Sequence, residues 1–492
     1  MRLVLCFVLL ASPLAAQVNF TDQSAALGTH VYDGGWEHFV GGGVAIMDCN
    51  GDARPDIFAA GGTNPAALWI NTGDFTFQRG RIPDLTDTTG AYPLDIDADG
   101  LMDLYLMRVG PDMVLKGGPD CTFTDATSAW GIPQTDQWTT AFTAWWEDAS
   151  RPVMALGHYV DRANPDGPFE ACDTNTILRP TLDGYAATVL EPGFCPLSML
   201  AATDARGRMT LRISNDRHYY VQNGHEQMWD IQERRFLDAG DGWADVSLWG
   251  MGIASADLTG DGRDEVMLTS MGDQLLQIAQ ADGTYIAAPF GIGTYAQRPY
   301  LGDDGRPSTG WHSEFGDVDN DGRADLFIAK GNVDQMPTNA MADPNNLLMQ
   351  RPDGTFTEVG QTAGLADTHR ARGAALADFD GDGRLDLVVV NRRANILLYR
   401  NDTPATGHWL SLALSQPGGN RHAVGAKVVL TTPQGTQTRE VRIGGGHAGG
   451  QALPLHFGLG AATQADLSVT WPDGTITTAT APADTLTTLT YP

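Results

Sequence analysis

The stretch Asp317-Val318-Asp319-Asn320-Asp321-Gly322-Arg323-Ala324-Asp325, which runs into Leu326-Phe327-Ile328, decides the fold. Acidic residues occupy positions 1, 3, 5 and 9 of this nine-residue loop, and glycine occupies position 6. Small and apolar residues precede the loop and a run of β-formers follows it, so the loop joins two strands. The pattern recurs along the chain, which indicates a repeat architecture.

Further copies of the loop recur at regular intervals. Complete copies are Asp48 to Asp56 (DCNGDARPD), Asp95 to Asp103 (DIDADGLMD) and Asp378 to Asp386 (DFDGDGRLD), and a weaker copy, DLTGDGRDE, spans Asp257 to Glu265. Two degenerate copies align by their flanks, around residues 145–153 and 202–210. The starts lie 47 to 61 residues apart, and each unit has room for four strands. The sequence therefore predicts an all-β chain that forms a seven-bladed β-propeller.

The two ends of the repeat array predict the domain organisation. Val18 to Asp22 matches the fourth-strand pattern that the last repeat lacks, so we expect the N-terminal strand to complete the seventh blade. From His408 onward, alternating strands separated by Gly and Pro turns carry no acidic loop, which predicts a small C-terminal β-sandwich. The predicted domains are a signal peptide at residues 1–16, the propeller at 17–403 and the C-terminal β domain at 404–492.

Composition excludes some function classes. The 492 residues include 60 acidic and 31 basic residues, a net charge of −29, which excludes nucleic acid as a partner and disfavours an anionic membrane surface. Residues Arg2, Leu3 to Leu10 and the small residues up to Ala16 have the pattern of a cleaved signal peptide. No later segment is apolar for long enough to span a bilayer. We therefore expect an exported protein, periplasmic or secreted.

Four cysteines follow the predicted cleavage site, and an even number in an oxidising compartment predicts disulfides. Cys172 and Cys195 are close in sequence and form the expected pair. Cys49 and Cys121 pair only by elimination, and buried free thiols are the alternative for these two residues.

The acidic loops predict calcium sites, because calcium takes six to eight hard oxygen ligands in flexible geometry. Each loop offers side-chain oxygens at positions 1, 3, 5 and 9 and a backbone carbonyl at position 7. We expect about four to five structural calcium ions, and the alternative is that the loops are simple Asp-Gly turns. The predicted ligands are Asp48, Asn50, Asp52, Arg54, Asp56, Asp95, Asp97, Asp99, Leu101, Asp103, Asp257, Thr259, Asp261, Arg263, Glu265, Asp317, Asp319, Asp321, Arg323, Asp325, Asp378, Asp380, Asp382, Arg384 and Asp386.

A second set of candidate residues precedes each loop by six to ten positions, at the opposite rim of the predicted propeller. Aromatic, Arg and His side chains around such a rim are suited to sugars, carboxylates or a peptide. Three histidines among them are candidates for a transition-metal site, and the alternative is that all are satisfied loop residues. The candidates are Glu37, His38, Asp136, Trp138, Trp249, Trp311, His312, His369, Arg370 and Arg372.

The loops and the tail also resemble known families. Phe315-Gly316 followed by the loop from Asp317 to Leu326 resembles the FG-GAP repeat of integrin α-chain propellers. The tail, from Asn420 to Val428 through Leu455 to Gly460 and Trp471 to Gly474, resembles the ASPIC/UnbV domain. Repeats followed by that tail resemble the bacterial relatives of cartilage acidic protein. The resemblance implies a seven-bladed, calcium-binding, exported protein and implies no reaction.

These observations favour an interaction module over an enzyme. The first hypothesis is an exported calcium-binding propeller, a monomer without a membrane span, whose rim binds an extracytoplasmic protein or carbohydrate. The alternative is a lyase or oxidase that acts on a sugar or small metabolite at the propeller mouth. Within the sequence no nucleophile motif, phosphate loop or zinc signature supports that alternative, and we predict no catalytic residue.

Overall fold

The acidic loops join antiparallel strands. The computed structural model describes residues 17–148, 150–216, 222–295, 307–333, 339–404 and 406–492, so the predicted signal peptide lies outside the described residues. Within these ranges no helix is long and apolar enough to span a membrane. Five short 3-10 helices are present there, at Ser24–Ala26, Trp36–His38, Pro119–Cys121, Ala239–Asp241 and Phe290–Ile292.

Seven sheets occupy the described residues before 402, and six of them are formed by consecutive strands. Strand β1 is Phe20–Asp22. The first three sheets contain β2 (Val44–Met47), β3 (Asp56–Ala59), β4 (Ala67–Gly73) and β5 (Thr76–Arg79); β6 (Thr88–Leu94), β7 (Asp103–Arg108), β8 (Met113–Gly118) and β9 (Thr122–Asp125); and β10 (Thr139–Trp145), β11 (Val153–His158), β12 (Asn175–Thr181) and β13 (Gly184–Leu190).

The remaining four sheets follow the same order. They contain β14 (Pro196–Thr203), β15 (Met209–Asn215), β16 (Gln227–Asp230) and β17 (Arg235–Phe236); β18 (Gly250–Ala256), β19 (Glu265–Ser270), β20 (Leu275–Ala279) and β21 (Tyr285–Ala287); β22 (Gly310–Gly316), β23 (Asp325–Lys330), β24 (Asn346–Gln350) and β25 (Phe356–Glu358); and β26 (Arg370–Ala377), β27 (Asp386–Arg392) and β28 (Leu397–Asn401) with β1.

The first strands of the sheets form a closed ring. Strands β2, β6, β10, β14, β18, β22 and β26 each contact the next one, and β26 contacts β2. The last sheet is completed by β1, which pairs antiparallel with β28 from Phe20 opposite Asn401 to Asp22 opposite Tyr399. This arrangement buries both faces of each first strand and is that of a β-propeller, so the predicted fold class is confirmed.

The C-terminal residues form two further sheets. One contains β33 (Leu455–Gly460), β29 (His408–Ser415) and β36 (Thr485–Thr490), and the other contains β31 (Gly435–Glu440), β30 (Lys427–Thr432), β34 (Gln464–Thr470) and β35 (Ile476–Pro482). Leu410, Val428, Phe457, Leu467 and Trp471 are buried in a common core. The boundary at residue 404 stays a prediction.

A glycine-rich segment between β31 and β33 runs along the first strands of the propeller. In this channel segment, residues 443–452, Ile443 bridges Ala144, Gly446 bridges Ile253, and β32 (Gln451–Ala452) pairs in parallel with β2. A Cβ atom at Gly43 would collide with the carbonyl of Ala448. Glycine in the first strands therefore permits close backbone approach of the channel segment.

Two disulfides are present among the described residues. Cys49–Cys121 connects the loop region of the first sheet to the hairpin of the second, and Cys172–Cys195 connects the residues before β12 to those after β13. Both pairs join segments that are distant enough in sequence, by 72 and 23 residues, to restrict the unfolded chain.

Candidate functional site

Each acidic loop lies between the first and second strands of its sheet, and its position 1 carboxylate organises the turn. In the sixth sheet, Asp317 Oδ1 accepts a hydrogen bond from the N–H of Asp321 at 3.0 Å, and Oδ2 accepts one from Gly322 at 2.7 Å. Asn320 and Gly322 have φ values of 57° and 92°. The left-handed backbone of the loop therefore favours glycine at position 6.

The position 9 carboxylate ties the loop to the third strand. Asp325 Oδ2 accepts from the N–H of Val318 at 3.1 Å, and Oδ1 accepts from Gln350, in β24, at 2.9 Å. Asp386 makes the same two contacts, with Phe379 and Asn401, both at 2.8 Å. The equivalent Asp56, Asp103 and Glu265 likewise accept from the residue after position 1 of their own loops.

The loops bring acidic oxygens together without giving all of them a partner. Ligand oxygens of Asp95, Asp97 and Asp99 lie within 4.8 Å of one another, as do those of Asp317, Asp319 and Asp325 and those of Asp378, Asp380 and Asp386. Several carboxylate oxygens in these loops are buried and have no hydrogen-bond partner in the described structure: Asp95 Oδ1, Asp97 Oδ1, Asp319 Oδ1, Asp380 Oδ1 and Glu265 Oε1. These acidic clusters are of a size and chemistry that can hold a metal ion.

The electrostatic cost of these clusters appears as raised pKa values. Burial raises the pKa of Asp56, Asp103 and Glu265 to about 7. Burial, followed by repulsion from neighbouring carboxylates, holds the pKa of Asp317 and Asp325 well above the usual range. A bound cation would relieve this cost, because an opposite charge within a few ångströms favours the ionised carboxylate.

The basic side chains near the loops pair more often with the position 5 carboxylate than with the carboxylates at positions 1, 3 and 9. The guanidinium of Arg54 pairs with Asp52 at 2.8 Å, and Arg263, Arg323 and Arg384 pair with the position 5 carboxylates of their own loops. Leu101 occupies position 7 in the second loop, and there Lys116 pairs with Asp97 and Asp99. The backbone carbonyl of each position 7 residue as a ligand stays a prediction.

The first and fifth loops differ from the others. Asn50 and Thr259 replace the position 3 carboxylate, and no group of three carboxylates with mutually close oxygens is found in the described residues of either loop. Cys49, Asp56 and Cys121 do lie together, but the two sulfurs are joined in a disulfide and are not free ligands. Asp48, Asp257 and Asp261 nevertheless hold the same loop geometry by backbone hydrogen bonds.

In the two degenerate loops, the chain's own arginines pair with acidic side chains. Asp204 Oδ1 accepts from the N–H groups of Arg206 and Arg208, both at 2.9 Å, and the Arg208 guanidinium pairs with Asp204 at 2.8 Å. Glu147 is paired with Arg179 of β12 at 3.0 Å. Among the described residues of these two loops, no group of three acidic ligands is found.

The C-terminal residues contact the face that carries the acidic loops. Arg421 donates to the carbonyl of Ala98 at 3.0 Å, and Lys427 donates to that of Gly262 at 2.8 Å. In the sixth loop, His456 Nε2 lies 2.8 Å from Asn320 Oδ1. The loops of three different sheets therefore contact one C-terminal unit, which makes the loop face an internal interface.

The predicted rim residues divide into buried and exposed members. Trp138, Trp311 and Arg372 are fully buried, and the Arg372 guanidinium lies 3.9 Å from the centre of the Trp311 ring. Burial lowers the pKa of Arg372 to about 9. His312 is also buried, and its Nδ1 accepts from the N–H of His447 in the channel segment at 3.1 Å. His312 and Trp311 thus both contact His447 of the channel segment.

The remaining rim candidates lie apart from that group. Glu37 pairs with Arg162 at 2.5 Å, and Arg162 also pairs with Asp136. His38 is buried, with Nε2 3.6 Å from Asp87, whereas His369 is largely exposed beside Asp367. Trp249 and Arg370 are half-buried. Within the described residues, no group of three metal-binding side chains includes a histidine, so His38, His312 and His369 do not converge there.

Sequence analysis missed two features of this rim. Trp36 is 51% exposed, stacks on Phe39 with ring centres 4.8 Å apart, and meets the edge of Trp138 at 6.1 Å. His447, which is fully buried, contacts Trp311 at 5.0 Å. Trp36 lies one residue before Glu37, the first of the predicted rim residues. For His447, the glycine-rich sequence around it is the signal by which it could have been found.

Fold and loops together define a class of protein: a β-propeller with FG-GAP-like repeats followed by an ASPIC and UnbV region. The FG-GAP-like repeat family matches residues 48–106 and 317–389, and the ASPIC and UnbV family matches residues 416–492. The predicted resemblance is thus confirmed.

A particular relative is Cartilage acidic protein 1. The Mus musculus protein is 30% identical over 162 residues, which cover 32% of this chain and 25% of the relative. The Xenopus tropicalis protein is 36% identical over 113 residues, 22% of this chain and 17% of the relative. The match therefore spans about a quarter or less of the length of these relatives, and it is distant homology.

Solved structures with a similar chain course include BBS1N in complex with ARL6DN and an Agrocybe aegerita lectin described as recognising non-reducing terminal N-acetylglucosamine. The first is 9% identical and covers 79% of this chain and 97% of its own, with a TM-score of 0.46. The second is 15% identical and covers 75% of this chain and 79% of its own, with a TM-score of 0.30.

Proposed function

We propose that this protein is an exported, calcium-binding propeller that serves as an extracytoplasmic interaction module. The observation that carries the calcium proposal is the set of buried carboxylate oxygens without a hydrogen-bond partner, repeated in equivalent loops. Leaving such groups unpaired is costly, and a cation satisfies several of them at once. When bound, calcium would neutralise the loop carboxylates and hold the two strands at a fixed separation.

The donor set favours calcium over other metals. All donors in the sixth and seventh loops are oxygens, which excludes the soft thiolate and imidazole environments that zinc and copper prefer. Calcium accepts six to eight such ligands in irregular geometry, whereas magnesium demands near-ideal octahedral geometry and retains its water. Asp317, Asp319 and Asp325 would supply carboxylate ligands in the sixth loop, and Asp378, Asp380 and Asp386 in the seventh.

The rim around Trp36 supports the interaction role. C-terminal residues contact the loop face, and the channel segment lies along the first strands. Trp36 is an exposed aromatic platform that Phe39 and Trp138 hold in position, with Glu37, Arg162 and Asp136 beside it. Aromatic faces flanked by polar groups bind sugars or peptide side chains. The proposed partner is accordingly a protein or a glycan.

Export is supported by the two disulfides. Structural disulfides persist in oxidising compartments and are rare in the cytosol. The net charge of −29 keeps the protein away from anionic surfaces, which fits a freely diffusing monomer.

Metal content tests the first part of the proposal. The purified chain is dialysed against millimolar calcium, then against calcium-free buffer, and its elements are measured by mass spectrometry. We expect about four to five calcium ions per chain, the number of acidic loops. A chain that retains none, and melts at the same temperature with and without chelator, would reduce the loops to simple turns.

A glycan array and a panel of immobilised secreted proteins test the second part. We expect Trp36→Ala together with Glu37→Gln to weaken any capture by at least tenfold, because loss of an aromatic anchor at a binding hot spot typically costs over 1 kcal/mol. Phe290→Ala is the matched control, since Phe290 is another exposed aromatic residue, 78% accessible, on a different part of the propeller. Equal capture by both variants would place the binding site elsewhere.

A further inference from the structure

The outer edge of the third sheet differs from the outer edges of the other six. Its last strand, β13 (Gly184–Leu190), has seven residues and carries no charged side chain. The other outer strands have two to four residues, and all but Tyr285–Ala287 contain a charged residue. Short, charged edge strands are the usual protection against unwanted pairing, and β13 lacks both features.

The exposure of β13 is also unusual. Four consecutive residues, Ala186 to Val189, are exposed, so both faces of the strand are open there, and Val189 is 60% accessible. At the hairpin tip Leu182 is fully accessible. Tyr185 and Leu190, by contrast, are buried and anchor the two ends of the open stretch in the propeller core. The open stretch is therefore a fixed edge that the core holds in place.

The register of the hairpin shows which backbone groups face outward. Pro180 lies opposite Tyr185 and has no N–H, so this pair is not a hydrogen-bonded one. Pairs alternate along an antiparallel ladder, so the pair of Arg179 with Ala186 is hydrogen-bonded. The N–H and C=O groups of Ala187 and Val189 consequently point away from β12. Strand β13 is the last in its sheet, and no other described strand pairs with it.

Charge decides between the possible occupants of this edge. Asp183 and Glu191 flank β13 and are both exposed. In a two-fold pairing of two copies centred on Ala187, Asp183 of each copy would face Glu191 of the other, and two chains of charge −29 would approach each other. A partner strand with basic residues at its two ends would instead form opposite-charge pairs at both flanks.

We propose that β13 is a β-strand addition site for an extended segment of a partner protein, with a core of about seven apolar or β-branched residues, the length of β13, flanked by Lys or Arg. The backbone groups of Ala187 and Val189 would form the main-chain hydrogen bonds, and Asp183 and Glu191 would select the basic flanks. The site lies on a different sheet from the acidic loops that carry the calcium proposal and away from the Trp36 rim, so it stands or falls independently of both.

Peptide binding to the full chain tests this proposal. The probes are two fluorescently labelled peptides, Lys-Thr-Val-Thr-Val-Thr-Val-Thr-Lys and the same core flanked by Glu, and the readout is fluorescence anisotropy. We expect the Lys-flanked peptide to bind at least tenfold more tightly than the Glu-flanked one. Hydrogen exchange should show slower exchange of the Ala187 and Val189 amides in the presence of the Lys-flanked peptide.

Two substitutions at one residue distinguish the loss of strand pairing at this edge from a general loss of stability. Ala187→Pro removes an outward N–H that β12 does not use, so it should weaken binding of the Lys-flanked peptide at least tenfold while melting stays near that of the parent chain. Ala187→Ser keeps the N–H and should bind as the parent does.

Three results would overturn the proposal. The first is the absence of binding by either peptide at millimolar concentration, and the second is undiminished binding by the Ala187→Pro variant. The third is a concentration-dependent dimer, measured by light scattering, that Ala187→Pro abolishes, because the occupant would then be a second copy of the chain. If Ala187→Pro fails to fold, Val189→Asp takes its place, since it adds an exposed charge without changing the backbone.

Discussion

The sixth loop and the fourth loop lie at equivalent positions in two sheets, yet the charge of their acidic residues is compensated differently. In the sixth, Asp317, Asp319 and Asp325 gather carboxylate oxygens, and Asp319 Oδ1 is buried without a partner. In the fourth, Arg208 pairs with Asp204 and compensates its charge. The sixth loop thus keeps a buried carboxylate oxygen without a partner, whereas the fourth loop compensates its acidic charge within the chain.

The difference has a consequence for stability. The stability of a loop that is neutralised by its own arginine should not depend on ions in solution. In a carboxylate cluster, repulsion between the ionised groups destabilises the folded state unless a cation is bound. If the acidic loops bind calcium as proposed, the stability of their sheets should depend on ion concentration, whereas that of the fourth sheet should not. Four predictions test this difference, in order from the largest expected effect to the smallest.

Removal of calcium should have the largest effect. Each site occupied at 100 times its dissociation constant stabilises the folded state by ~2.7 kcal/mol, and several sites share one ring. We expect chelator to lower the melting temperature by at least 10 °C, and calcium to restore it better than magnesium at equal concentration. Calorimetry with and without chelator checks this, and overlapping melting curves would contradict it.

A pair of single substitutions should separate the two kinds of loop. Asp319→Ala should remove one bound ion and about 2.7 kcal/mol of the calcium-dependent stabilisation. Asp204→Ala is the matched control: it should lower stability equally with calcium and with chelator and leave the ion count unchanged. Ion counts that fall equally in both variants would show that the fourth loop also binds metal.

Lower pH should reduce the calcium effect. In the metal-free protein the carboxyls of Asp56, Asp103 and Glu265 have pKa values near 7, above their values in the unfolded chain. Their protonated form is favourable for folding, and that contribution is lost as pH rises through about 7. Calcium requires the ionised form, so the calcium-induced increase in melting temperature should shrink between pH 7.5 and pH 5.5.

The difference between calcium and chelator is the informative quantity in that titration. Buried histidines such as His158 and His447, whose pKa values burial lowers to about 3, destabilise the folded state as pH falls below about 6.5. Their contribution is the same with and without calcium and cancels in the difference. A calcium effect that is constant across this pH range would indicate that the raised carboxyls are not the ligands.

The smallest effect is expected in the first loop. Ala53 replaces the position 6 glycine and has a φ of 64°, in the left-handed region that costs an L-residue free energy. Ala53→Gly should therefore stabilise the protein by roughly 0.5–1 kcal/mol after the entropic cost of glycine is included. Chemical denaturation in saturating calcium measures it, with Ala98→Gly, φ also 64°, as a second instance. A loss of stability in both variants would show that other contacts set these loops.

The acidic loops were predictable because their information is local. Asp317 and Gly322 lie five residues apart and interact through one turn, so their spacing in the sequence carries their geometry. The four-stranded units follow from the same repeat. The hydrogen bond from the N–H of Gln350 to Asp325 could not be predicted from the spacing, because it depends on the pairing of β23 with β24.

The rim could not be predicted in the same way. Trp311 and Arg372 were considered as rim residues from their offset before the loops, but their burial depends on Phe39 and on the channel segment, which are distant in sequence. Glycines inside the first strands, such as Gly43 and Gly90, were the available signal, because a strand glycine often marks close approach of another backbone. The glycine-rich run around His447 is its counterpart.

The channel segment also sets the order of events during synthesis. The N–H of Gly41 donates to His447 Nε2, an interaction between residues that are 406 positions apart. At about 5–20 residues per second, the chain needs roughly 20–80 s to make the second residue after the first. During that interval the first strands of the sheets are present, but the channel segment that contacts them in the folded protein has not yet been synthesised. Such distant contacts slow folding, so the last tenth of the polypeptide determines when the first tenth reaches its native surroundings.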